Sequence, residues 1–79
     1  MGEVLIRYFA VLREQRGCDT ETVAVSDRET VGALYARLFP PGPDGAMPVM
    51  FAINREYVPA SAAVSSGDEV AFIPPLGGG

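Results

Sequence analysis

Thr30-Val31-Gly32-Ala33-Leu34-Tyr35-Ala36-Arg37-Leu38 decides the fold, because it is the main helical pattern among segments that otherwise read mostly as strands. Val31, Leu34, Tyr35 and Leu38 fall at i, i+3, i+4 and i+7, which puts them on one apolar stripe. The start of this helix has two readings. Ser26 and Glu29 have capping-box spacing, while Thr30 equally fits the N-cap of a helix beginning at Val31. Gly32 weakens the helix by up to about 1 kcal/mol relative to alanine, so packing of the stripe must supply the stability. Beyond it, Pro40-Pro41-Gly42-Pro43-Asp44-Gly45 can neither continue a helix nor join a ladder and reads as a surface loop.

Upstream, Val4 to Phe9 alternates as a strand, with Val4, Ile6 and Tyr8 on one face and Leu5, Arg7 and Phe9 on the other. Arg7 marks the second face as the more exposed one, which leaves Phe9 as an aromatic on an outer surface. Ala10 to Arg16 can form a short helix that Gly17 ends, and the β-branched run Glu21 to Val25 is a second strand pairing back on the first. Downstream, Val49 to Ile53 is a third strand and Asn54-Arg55-Glu56 a turn. Tyr57-Val58 begins a short fourth strand closed by Pro59. Ser65-Ser66-Gly67-Asp68 is a further turn, and Glu69 to Ile73 the last strand, with Val70 and Phe72 on one face and Ala71 and Ile73 opposite. The order is ββαβββ with a short extra helix. It predicts an α+β domain, a sheet of about five strands packed on one main helix. Residues 1–75 are read as that single domain and residues 76–79 as a flexible C-terminal glycine tail.

The 79 residues, 48% of them hydrophobic, support one small domain with a real core. Net charge is −4, from ten acidic residues and six arginines, with no lysine and no histidine. That balance argues against nucleic-acid binding, which needs a basic patch, and suits an encounter with a positively charged protein surface. Without histidine the commonest general base and metal ligand is missing. The lone Cys18 cannot form an intrachain disulfide, zinc cluster or Cys–His nucleophile, and reads as a structural or merely reduced thiol. The carboxylates sit mainly in turns and at element ends, as solvated or capping groups. With no lysine, copies of this chain cannot be joined into lysine-linked polymers. Glu3 and Arg7 interrupt any signal-like apolar run, and no stretch approaches the roughly 20 apolar residues of a membrane span, so a cytoplasmic location is expected.

The tail is what remains. Pro74-Pro75 forces an extended, stiffened exit from the last strand, and Leu76-Gly77-Gly78-Gly79 follows. At about 3.3–3.6 Å per residue the segment from Pro74 reaches roughly 20 Å, enough to thread a narrow partner channel with no room for a Cβ. A terminal carboxylate is a poor electrophile, being anionic and lacking a leaving group. Conversion to an acyl-adenylate with ATP removes both defects; if the nucleophile that follows is a sulfide, or a persulfide whose acyl disulfide a thiol then cleaves, the product is a C-terminal thiocarboxylate.

Gly67-Asp68-Glu69-Val70-Ala71-Phe72-Ile73-Pro74-Pro75-Leu76-Gly77-Gly78-Gly79 resembles the C-terminus of the MoaD family, the small subunits of molybdopterin synthase. Arg7-Tyr8-Phe9-Ala10-Val11-Leu12-Arg13-Glu14 is similar to that family's first strand and following helix, and Thr30-Val31-Gly32-Ala33-Leu34 to its main helix start. The resemblance runs over nearly the whole chain. Two departures, the extra Gly77 and the proline-rich loop at Pro40 to Gly45, leave the final Gly-Gly intact.

The resemblance implies a β-grasp, ubiquitin-like fold and a carrier that is no enzyme on its own. It implies that a MoeB-like, ubiquitin-activating-type enzyme adenylates Gly79 with MgATP, that a sulfurtransferase supplies sulfur, and that no cofactor is bound by the carrier itself. It further implies docking on the large, MoaE-like subunit in a heterotetramer, with Leu76, Gly77, Gly78 and Gly79 in that subunit's channel. There sulfur is donated to cyclic pyranopterin monophosphate, and the catalytic side chains belong to the large subunit. By the family's pattern Phe9, Tyr57 and Ile73 are outer-face positions that contact partners, with Arg13 a weaker candidate for an ion pair. Rival readings are a related carrier serving thiamine, cysteine or tRNA thiolation, a ubiquitin-like protein modifier, and a plain interaction module with an idle tail.

Overall fold

In the computed structural model, which describes residues 2–43, 45 and 47–75, seven elements follow one another. They are β1 (Gly2–Tyr8), α1 (Ala10–Arg16), β2 (Thr20–Val25), α2 (Val31–Leu38), β3 (Met50–Ile53), β4 (Glu56–Val58) and β5 (Glu69–Ile73). The strands form one mixed sheet in the order β2-β1-β5-β3-β4. β1 and β5 are parallel, and the other neighbours are antiparallel. The expected return of β2 onto β1 is present, with Gly2 opposite Val25 and Arg7 opposite Thr20. β5, the last strand, is therefore the middle one.

One face of the sheet closes on α2. Val4, Ile6 and Tyr8 of β1 and Val70 and Phe72 of β5 meet Val31, Leu34 and Tyr35 of α2, with Leu12 of α1 and Val64 completing the core. All of these are buried, as the period-2 and period-3.6 patterns require. Five aromatic rings join in it. Phe72 lies edge-on to Tyr35, Phe39 and Phe51 at 5.1, 6.3 and 5.9 Å, and Tyr8 meets Phe39 at 5.7 Å.

The two capping alternatives are both realised, in different roles. Thr30 is the N-cap, its Oγ1 accepting from the Ala33 N–H at 3.1 Å. The Ser26 N–H donates to Glu29 Oε1 at 3.1 Å, which closes the turn before the helix instead of starting it. The remaining amides of the first turn are satisfied from the β4–β5 connection. The Val31 N–H donates to Ala62 O at 2.8 Å, and the Gly32 N–H to Ala60 O at 2.9 Å. A Cβ on Gly32 would lie 2.9 Å from Ala60 Cβ and 3.0 Å from its carbonyl oxygen. The glycine that looked like a weakness is what admits this close approach.

Element bounds differ from the sequence reading in four places, the simplest being β2, which starts at Thr20 and not at Glu21. β1 starts at Gly2 and ends at Tyr8, because Phe9 is the N-cap of α1 and its carbonyl accepts from the Leu12 and Arg13 N–H groups at 3.0 and 3.4 Å. β3 starts at Met50. The turn after it is only Asn54-Arg55, both at positive φ (51° and 71°), so Glu56 already pairs with Ile53 in a two-residue hairpin. Gly17 ends α1 at φ 77°, as expected. The predicted tail, Leu76 to Gly79, lies outside the described residues. Among the described residues no helix is long and apolar enough to cross a membrane.

Candidate docking face and root of the tail

Residues alternating with the core-facing positions form the sheet's other face, and register sets which of them meet. Arg7 lies beside Ala71, Ala71 opposite Ala52, and Ala52 opposite Tyr57, one row across four strands. Met50 lies opposite Ile73 in the next row. Among the described residues no helix covers this side. Tyr57 is 68% exposed, Met50 55% and Phe9 44%, while Ile73 is half-buried.

Two shallow grooves cross the face. One, of about 320 Å³, has Ala52 and Ala71 as its floor, Phe9, Tyr57 and Ile73 as apolar walls, and Arg7, Arg55 and Glu69 as its charged lining. The other, of about 410 Å³, lies across Tyr57 and Ile73 and is bounded by Pro48, Val49, Met50, Pro74 and Pro75. Tyr57 and Ile73 line both. β5 ends at Ile73 and Pro74 is buried, so the stalk leaves the sheet at the margin of an apolar groove. A large exposed aromatic surface of this kind is expected at a protein interface.

The structure brings Phe9, Tyr57 and Ile73 together along one groove and leaves Arg13 apart. Arg13 sits on α1, lines neither groove, and approaches Asp19 at 3.6 Å with both side chains well exposed. The alanine floor and Arg55 were missed. Tyr57 alternates with Glu56 and Val58, so its face was readable, but that Ala52 and Ala71 lie under it depends on long-range register.

Arg7 Nε donates to Glu69 Oε2 at 2.7 Å on this face. Asn54 fastens the β3–β4 turn to β5. Its Nδ2 donates to Asp68 Oδ1 at 3.0 Å, and its Oδ1 accepts the Glu69 N–H at 3.0 Å. A separate polar cluster buttresses α1. Arg16 Nη2 donates to both Glu21 oxygens at 2.7 and 2.9 Å, and the Tyr8 hydroxyl donates to Glu21 Oε1 at 2.7 Å. Arg16 holds Glu21 below the usual carboxylate range, with the Tyr8 hydroxyl adding to the effect. Burial, reinforced by the Glu21 carboxylate, pushes the Tyr8 phenol up. This network is structural. Among the described residues no cluster of three or more acidic or thiol groups is placed to hold a metal, and Cys18 packs half-buried against the core.

A sheet of this order wrapped on one main helix is the β-grasp fold of ubiquitin-like domains. The chain belongs to the ThiS family, which matches residues 6–79. It is 38% identical over 82 residues to the molybdopterin synthase sulfur carrier subunit of Chlamydomonas reinhardtii, covering 98% of this chain and 99% of that one. The same identity holds over 85 residues with the molybdopterin synthase sulfur carrier subunit of Mycobacterium tuberculosis, covering all of both. Among solved structures, the small archaeal modifier protein 1 of Haloferax volcanii superposes with a TM-score of 0.82 at 28% identity, over 96% of this chain and 100% of that one.

Proposed function

We propose that this chain is the sulfur carrier of a molybdopterin synthase, with the Gly79 carboxylate as its reactive group. The observation that carries the reading is near-full-length likeness to sulfur carrier subunits, in a family match that runs to residue 79. The exposed Phe9–Tyr57–Ile73 face beside the Pro74-Pro75 stalk supports it, since a partner docked there takes up the tail.

In the cycle, a carboxylate oxygen of Gly79 attacks the α-phosphate of ATP on an activating, MoeB-like enzyme, and pyrophosphate leaves. A sulfide sulfur then attacks the acyl carbon and AMP departs, leaving the thiocarboxylate. With a persulfide donor, the acyl disulfide formed first is cleaved by a second thiol, which is oxidised. The carrier docks on the large, MoaE-like subunit and yields its sulfur to cyclic pyranopterin monophosphate. The domain itself contributes no acid, base or metal to these steps, only a docking face and a reactive terminus.

Intact mass after incubation with activating enzyme, ATP and a sulfur source tests this. A shift equal to one oxygen replaced by sulfur, abolished by deleting Gly79, is the expected result. No shift, with partner binding unaffected by the deletion, leaves only an interaction module.

The likeness to an archaeal modifier protein supports a second reading, in which the same activated glycine is captured by lysines of other proteins. Adducts on such lysines would be its signature. This chain has no lysine of its own, so lysine-linked chains of it are excluded.

A further inference from the structure

Arg55 occupies a position its backbone does not favour. It is the second residue of the Asn54-Arg55 hairpin turn, at φ 71°, where glycine is the residue without steric cost. Its side chain lines the alanine-floored groove. There, Glu69 is the only acid among the described residues lining the groove, and it is already engaged by Arg7 at 2.7 Å. Arg7, Arg13, Arg16 and Arg37 each make an ion pair, whereas Arg55 makes none among the described residues. Two cations and one anion line this groove on a chain whose net charge is −4. The overall charge suits a basic partner surface, but the groove is locally the reverse.

We infer that Arg55 is the electrostatic anchor of the docking face, and that the partner protein seated there presents a carboxylate beside a bulky apolar side chain. The apolar group fills the space over Ala52 and Ala71, between Phe9, Tyr57 and Ile73. The carboxylate meets the guanidinium at the Arg55 end. A charge at the margin of an apolar contact acts chiefly on encounter rate and register. The strained turn residue is then kept for recognition at some cost to the fold. This rests on the docking reading above.

A second arginine supplies the control. Arg28 is also unpaired among the described residues and at φ 66°, but it lines a different cavity, with Ser26, Val64 and Ser65. Association of the large synthase subunit is measured with wild type, Arg55→Gly, Arg55→Glu and Arg28→Gly, at low and high salt, alongside melting temperatures. Arg55→Gly is expected to melt at or above wild type yet bind about tenfold more weakly, the loss lying mainly in association rate. The difference shrinks toward 1 M salt, where the screening length is about 3 Å. Arg55→Glu binds more weakly still, and Arg28→Gly binds like wild type. Equal binding by Arg55→Gly, an equal loss in Arg28→Gly, or a clear fall in the Arg55→Gly melting temperature would overturn the inference. Failure of wild type to bind the large subunit would instead remove the docking reading on which it stands.

Discussion

The backbone N–H of Gly32 reaches the carbonyl of Ala60 at 2.9 Å, and it does so only because Gly32 has no side chain. Helix propensity alone predicts that Gly32→Ala gains up to about 1 kcal/mol. The structure predicts the opposite sign, since the added carbon would lie 2.9 Å from Ala60 Cβ and 3.0 Å from a backbone oxygen. Overpacking of this kind costs about 1–3 kcal/mol. Thermal melting should therefore show a fall of roughly 4–8 °C per kcal/mol lost. A variant melting at or above wild type would refute the close-approach account.

Glu21 gives the acid side of the stability curve a specific cause. Its carboxyl is held below its ordinary value of 4.5 by Arg16 and then by Tyr8. A depressed folded-state value means that the stabilisation is complete above the unfolded value and disappears as pH falls through the folded one. Glu21→Gln should be less stable than wild type at neutral pH by about 1 kcal/mol, and the gap should narrow as pH falls below 4.5. Urea midpoints on either side of that value read this directly. A gap that stays constant with pH would mean that packing, not charge, is what Glu21 supplies.

The two faces of the sheet should separate in mutants. Tyr57 is 68% exposed on the outer face, so Tyr57→Ala is expected to cost less than about 1 kcal/mol of stability while weakening large-subunit binding more than about tenfold. Phe9→Ala should behave similarly. Leu34 is fully buried, and Leu34→Ala should cost about 2–5 kcal/mol. Chemical denaturation paired with a binding assay distinguishes the classes. Normal binding by both outer-face variants would rule the face out.

Arg13 is the site candidate with least structural support. Its 3.6 Å approach to Asp19 is between exposed side chains. Arg13→Ala should change stability by less than about 1 kcal/mol and binding by no more than a few-fold. A large loss of affinity to the activating enzyme would restore it as a partner contact.

Much of this was legible in the chain because it is local. Alternation along Val4 to Tyr8 and Glu69 to Ile73 set the buried faces, and the spacing of Val31, Leu34 and Tyr35 set the helix stripe. Phe9 and Ile73 fell on the outer face for the same reason. What escaped was long-range. Nothing near Gly32 in sequence announces Ala60, and nothing near Tyr57 announces that Ala71, on another strand, completes the floor beneath it. Arg55 was passed over because a turn residue with one partner-free charge has no periodicity to betray it.

β5 is hydrogen-bonded on one side to β1, from Leu5 to Tyr8, and on the other to β3, from Met50 to Ile53. Force transmitted through Pro74 and Pro75 therefore enters the interior of the sheet and is borne in shear by two ladders together. A terminal segment rooted on an edge strand would instead unzip bond by bond. On the proposed cycle, in which the terminus is gripped and released at every turnover, such a pull is taken up by the centre of the sheet and not by its edge.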